Sequence, residues 1–296
     1  MRGAARLLAG VVLAAVAGAA SVYFFCPGVM LSLAERLELR AAGLHRMAAQ
    51  VGTDHVVYLD GGAGPVLLLL HGFGADKSNW VRVARYLTPH FRVIAPDLPG
   101  FGESTRDPNA HYAVADQVER VHAFALALGL GKVHLGGNSM GGGASLWLIA
   151  PGFVRSAKRS ELDERIARKE NPLFVDDAEG FDRLIDFVFV ERPAIPGPIL
   201  RYLTAQAIEH RPFNEKVMHD LFTAPIALED VEKGLPMPTL ISWGDHDRLV
   251  DVSGAQILGS VIPGSTVNVI PNVGHAAMVE RPQQTADAFL SFRGIH

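Results

Sequence analysis

Three residues in this chain have the types and the chain order for nucleophilic chemistry. Ser139 stands in the run Gly137-Asn138-Ser139-Met140-Gly141, a G-x-S-x-G pattern directly after a short apolar segment. Glycines around a serine let backbones approach closely at a sharp strand-to-helix turn, which exposes the hydroxyl. Asp247 ends the run WGDHD just beyond one apolar segment, and His275 ends VGH just beyond the next. A serine nucleophile needs a base that takes its proton and returns it to the leaving group, and His275 has the side chain for that. Asp247 would hold the imidazole in the right tautomer and stabilise its charged form.

Taken singly, each residue has a blander reading. Gly141, Gly142 and Gly143 would suit a phosphate loop, but the chain has no G-x-x-x-x-G-K-[ST] and no G-x-G-x-x-G after its first central strand. An aspartate after a strand often caps a helix, and a turn histidine often just bonds to backbone. Asp245 is a rival acid, and Asp251 is a candidate cap for the helix that follows it. His246 sits between two aspartates, but adjacent positions in one turn rarely converge on a metal without a distant ligand, and H-E-x-x-H is absent. No metal is therefore expected.

Acyl transfer also needs backbone donors aimed where negative charge develops. The N–H of Met140 follows the serine directly. The second donor is assigned to Phe73 in HGFGADKSNW, where Gly72 and Gly74 let the loop bend toward the serine. His71 reads as a loop-shaping histidine, and Asn138 as a residue that orders the turn around Ser139.

The elements that must position these groups alternate between two periodicities. PVLLLL and FRVIAPD are apolar throughout, as expected of strands covered on both faces. HVVYLD and PVLLLL flank GGAG, which predicts a hairpin. Helical spacing predicts helices over 77–87, 112–128 and 251–259, with a terminal helix in ERPQQTADAFLSFR. Strands alternating with helices predict an α/β domain with a mostly parallel sheet. Residues 154–234 break the alternation with charged and proline-punctuated helical segments, read as an inserted helical cap. The core is thus expected in two parts, 54–153 and 235–296, and 27–53 reads as a connector with an amphipathic helix, LSLAERLELRAAGL.

The first 26 residues are different. Arg2 and Arg6 precede an apolar run from Leu7 to Cys26, about the length that crosses a bilayer. A retained single-pass anchor is expected, with the main domain extracytoplasmic or periplasmic. The alternative is a secretion signal cleaved near Ala17–Ala19. The whole 296-residue chain is long enough for one large core with an insertion, and its net charge of −4 gives no reason to expect nucleic acid. Cys26 is the sole cysteine, which excludes an intrachain disulfide.

HGFG, DLPGFGES, GNSMGG, WGDHD and NVGH followed by MVERP together resemble the α/β-hydrolase superfamily. Within it, WGDHDRLVDVSGA and PNVGHAAMVERPQQTA are similar to the membrane-anchored monoacylglycerol lipases and related bacterial esterases and lipases. The resemblance runs over roughly residues 54 to 296. It implies Ser139 as nucleophile, Asp247 as acid, His275 as base, and Phe73 and Met140 as oxyanion donors. It also implies hydrolysis of lipophilic carboxylic esters, no organic cofactor, and an acyl site formed with the cap. Phe73, Met140, Trp147, Val250 and Ala276 are the expected substrate contacts.

One departure from the resemblance bears on activity. Only five residues separate Ser139 from SLWLIAPG, where a parallel crossover ordinarily takes about a dozen. Either Ser145–Ala150 is a strand and the helix after the serine is missing, or 140–150 is the helix and the strand is missing. Both predict a hole beside the nucleophile. Two alternatives to the esterase therefore stand: a catalytically impaired, membrane-tethered relative that binds lipid or protein, and a hydrolase of carbon–carbon or amide bonds using the same three side chains.

Overall fold

The computed structural model describes Gly18 and residues 21–144, 147–155, 157–223 and 226–295. Most of the expected N-terminal anchor, residues 1–17, 19 and 20, lies outside the described residues. Among the described residues, no helix is long and apolar enough to cross a membrane. Helix α1 (Pro27–Ala41) starts with proline at its first turn, where the missing N–H costs nothing.

Eight strands form one sheet in the order β1-β2-β4-β3-β5-β6-β7-β8. β1 (Leu44–Val51) and β2 (Asp54–Gly61) are antiparallel to their neighbours. β3 (Val66–Leu70), β4 (Arg92–Pro96), β5 (Val133–Asn138), β6 (Trp147–Ile149), β7 (Leu240–Gly244) and β8 (Thr266–Ile270) run parallel. Helices α2 (Val81–Leu87), α3 (Val114–Ala127), α8 (Ser253–Val261), α9 (Ala277–Glu280) and α10 (Pro282–Phe292) accompany the sheet. Between β6 and β7 lie α4 (Glu161–Ala167), α5 (Ala178–Val188), α6 (Gly197–Thr223) and α7 (Leu228–Val231).

Two expectations about the start of the domain are corrected. Residues 44–51 are a strand of the sheet, not part of a connector. Only Leu44 of that strand is fully buried, so an edge position hides the apolar pattern that identifies central strands. The hairpin is formed by β1 and β2 through Gly52 and Thr53, whereas β2 and β3 are separated by β4. GGAG therefore links two strands that do not pair.

The shortened connection adopts the first of its two arrangements. A 3-10 turn covers Ser139–Ala144, and β6 then pairs with β5 on one side and β7 on the other. The strand runs over Trp147–Ile149, all fully buried, and Ser145 and Leu146 lie outside the described residues. The pairing Gly136↔Trp147 sets Trp147 two residues back along β5 from Asn138. That return spans only about 8 Å, from a rise of about 3.3 Å per residue and strands about 4.8 Å apart. Glycine makes the turn fit: a Cβ on Gly141 would lie 2.4 Å from the carbonyl oxygen of Leu70. The turn therefore rests directly on the end of β3. At the carboxyl end of β5, Gly136, Gly137 and Asn138 are buried. The half-buried stretch of β5 is its start, Val133–Leu135.

Gly141→Ala is expected to force the turn off β3 at about 1–3 kcal/mol, the usual range for overpacking. Thermal unfolding of this variant should show a midpoint several degrees below wild type, and an unchanged midpoint would contradict the packing described.

Candidate active site

Ser139 sits at the carboxyl end of β5 with φ of 53°, a left-handed conformation that non-glycine residues seldom adopt. Three contacts hold it there. Its carbonyl accepts from the Gly152 N–H at 3.1 Å, which ties the turn to the segment after β6. Asn138 is buried, and its Nδ2 donates to the carbonyls of Ile149 (3.0 Å) and His275 (3.3 Å). On the other side, a Cβ on Gly72 would lie only 3.0 Å from the Ser139 Cβ, so the loop after β3 passes flush against the serine.

Asp247 follows β7 and His275 follows β8, as the chain order implies. The His275 Nδ1 lies 2.8 Å from Asp247 Oδ2. The carboxylate is fully buried, and its Oδ1 accepts from the N–H groups of Leu249 (2.8 Å) and Val250 (3.1 Å). Fixed on both oxygens, it has little freedom to rotate away from the imidazole. The rival Asp245 faces elsewhere, with its Oδ1 2.6 Å from Nδ1 of His246. Asp251 accepts from the Ser253 N–H at 2.9 Å, at the start of α8. Among the described residues no cluster of His, Cys, Asp and Glu side chains is arranged to hold a metal.

His71 shapes the loop that carries Phe73. It is completely buried, its Nδ1 is 2.7 Å from the Gly72 carbonyl, and its Nε2 accepts from the Leu98 N–H at 2.9 Å. These partners require a neutral ring with the proton on Nδ1, and burial pushes its pKa down accordingly.

Ser139, His275, Phe73, Met140, Val250 and Ala276 all line one cavity of about 1810 Å³ between the core and the helices of residues 154–234. Trp147 does not line it. Its ring is buried in the core, stacked on Phe289 at 4.3 Å, and its Nε1 donates to Ser242 Oγ at 3.2 Å. The side chains of a strand alternate between faces, and Trp147 points to the α10 side of the sheet. Its assignment as a substrate contact is therefore corrected. Cavity walls that sequence reasoning missed include Phe174, Phe181 and Leu221, contributed by the inserted helices.

Those helices are fastened to the loops bearing Asp247 and His275. The His275 N–H donates to the carbonyl of Val188 at the end of α5, at 2.9 Å. Arg248, the neighbour of Asp247, donates through Nε (2.6 Å) and Nη2 (2.8 Å) to the Glu161 carboxylate of α4, and its guanidinium lies over the Phe187 ring. Adjacency to Asp247 is the only sequence signal for this role.

Residues 67–288 match the Alpha/beta hydrolase family. This chain belongs to that family. Among curated relatives, the hydrolase is 34% identical over 261 residues to Lipase 1 of Psychrobacter immobilis, covering 82% of this chain and 81% of that protein. It is 32% identical over 257 residues to Monoacylglycerol lipase ABHD6 of Mus musculus, covering 78% and 76%. Among solved structures, it superposes on a membrane phospholipase A described as a bacterial virulence factor. That match has a TM-score of 0.89 and 42% identity, and covers 98% of each chain.

Two outcomes follow for the hydrolase. Asp247→Asn should lower kcat by about four orders of magnitude, as expected when the imidazole loses its orienting acceptor, while Asp245→Asn leaves kcat near wild type. Steady-state ester hydrolysis by the two variants checks this. The second outcome concerns pH. Hydrogen bonds from Arg248 and then Arg165 bring the Glu161 carboxyl from its ordinary 4.5 to about 2. A depressed carboxylate contributes stability that is complete above about 4.5 and fades as pH falls toward 2. Melting temperatures across that window should drop less steeply in Glu161→Gln than in wild type.

Proposed function

We infer that this hydrolase cleaves carboxylic esters of lipophilic substrates, in the manner of a monoacylglycerol lipase or esterase, through an acyl-enzyme on Ser139. The observation that carries the reading is the buried Asp247–His275 pair opening onto the same cavity as the strained Ser139. In this mechanism His275 takes the proton as Ser139 Oγ attacks the ester carbonyl. The Phe73 and Met140 N–H groups receive the charge on the carbonyl oxygen, and His275 returns the proton to the departing alcohol. Water, activated by the same histidine, then releases the acid. The apolar walls supplied by the inserted helices suit an acyl chain. The names of the relatives, lipases and a monoacylglycerol lipase, support the ester class.

Active-site phosphonate should label the wild-type protein, and neither Ser139→Ala nor His275→Ala should form the adduct. Mass spectrometry of the folded proteins reads this directly, and labelling of Ser139→Ala would remove the serine from the mechanism.

We further propose that the N-terminal segment holds the domain at a membrane, with the catalytic part on the extracytoplasmic side. Phe25, Val29, Leu33 and Leu37 recur every four residues and are exposed, so the helix continues an apolar stripe from the hydrophobic run before it. Full-length protein should remain with the membrane fraction after carbonate extraction, whereas protein lacking residues 1–26 should be released more readily. Equal release of both would refute the anchor.

A further inference from the structure

The cavity that holds Ser139 is also lined by polar side chains from the loop after β4 and from α6. Arg106 belongs to that loop and lines the cavity together with His210 and Asn214, which stand one helical turn apart on α6. The Arg106 guanidinium forms no hydrogen bond or ion pair among the described residues, and its Nε is fully buried with no partner. A buried, unpaired donor on a charged group is costly to leave unmet. The contrast with Lys77 on the same cavity wall is sharp: its ammonium is 2.7 Å from Asp97 and 2.8 Å from Glu103.

The neighbouring carboxylates do not serve Arg106. Asp97 is engaged by Lys77 Nζ and by the N–H groups of Lys77 (2.7 Å) and Glu103 (2.8 Å). Asp76 turns one oxygen to the Ser78 N–H at 2.7 Å. Asp97, Asp76 and Glu209 act on Arg106 only at a distance, and burial pushes its pKa down against them. His210 is likewise pushed down, first by burial and then by Arg106 itself. Its imidazole is thus neutral near pH 7, with one ring N–H that can donate to an anion. A guanidinium presents its donors in a fixed fork matched to phosphate oxygens. At about 1810 Å³ the cavity exceeds the roughly 300–1,000 Å³ that holds a drug-sized ligand, which leaves volume for a headgroup beside an acyl chain.

We propose that Arg106, assisted by His210 and Asn214, is an anion subsite that takes the phosphate of a glycerophospholipid whose ester lies at Ser139. The proposal rests on the ester-hydrolase reading above and specifies which amphiphiles the site prefers.

The test uses full-length protein in neutral detergent micelles. Two substrates with the same acyl chain are compared, 1-oleoylglycerol and 1-oleoyl-lysophosphatidylglycerol. Arg106→Gln is expected to lower the ratio of kcat/KM for the phosphate-bearing over the neutral lipid about tenfold or more, and Arg106→Lys to restore part of it. Glycerol 3-phosphate should inhibit the wild type competitively and Arg106→Gln much more weakly. A ratio unchanged in Arg106→Gln, or equal losses on both lipids, would overturn the proposal. Inhibition by inorganic phosphate as strong as by glycerol 3-phosphate, without discrimination between the lipids, would replace the headgroup site by a free-anion site. Hydrolysis of p-nitrophenyl butyrate by wild type reports on the ester-hydrolase reading separately. If that activity is absent the reading itself fails, whereas activity with no discrimination between the lipids sinks only the subsite.

Discussion

The register of β5, β6 and β7 is the constraint on which the site depends. Each proposed reacting group stands just beyond the carboxyl end of a parallel strand, so a slip in pairing would separate them. β6 is three residues long, yet it joins β5 to β7 and keeps the two at the spacing of a continuous sheet. Full burial of Trp147, Leu148 and Ile149 supplies the driving force, at roughly 1.5–3 kcal/mol for each large apolar side chain removed from water. The turn that precedes it is a 3-10 turn, held by close backbone packing at Gly141 and by the Asn138 amide.

That amide links the serine turn to the loop bearing His275. By donating to the carbonyls of both Ile149 and His275, Asn138 couples the end of β6 to the loop after β8. The carbonyl of Val188 takes the N–H of His275 from the opposite side. The histidine backbone is therefore clamped between the sheet and the inserted helices, while its ring is aligned by Asp247. Preorganisation of this kind limits the reorganisation needed when charge develops in the transition state.

The inserted helices and the core divide the binding problem between them. The core contributes the proposed reacting groups, which come from loops at strand ends. The insertion contributes most of the apolar wall, with Phe174, Phe181 and Leu221 facing the cavity. Arg248 and Glu161 fasten the two together beside the acid loop, so the docking of the insertion and the position of Asp247 are mechanically connected.

The amino-acid sequence by itself determined the order of the central strands and helices and the candidates for the reacting groups. Continuous apolar runs mark buried parallel strands, and glycines around a serine mark a turn with an exposed hydroxyl, because both patterns are local consequences of burial and backbone sterics. Asp247 and Asp245 could not be ranked that way, since both follow the same strand; only the direction of each side chain in space separates them. β1 was hidden because a strand at the sheet edge needs no apolar face on most of its length. Trp147 looked available to substrate, yet the pleat turns it toward α10 and the core. The short connection was undecided for the same kind of reason: whether 139–149 became helix or strand depended on the open place between β5 and β7, and β7 lies about ninety residues further along the chain. The lack of a partner for Arg106 is likewise a property of the assembled cavity, because a side chain's counter-ions are chosen by residues that folding, not sequence spacing, brings beside it.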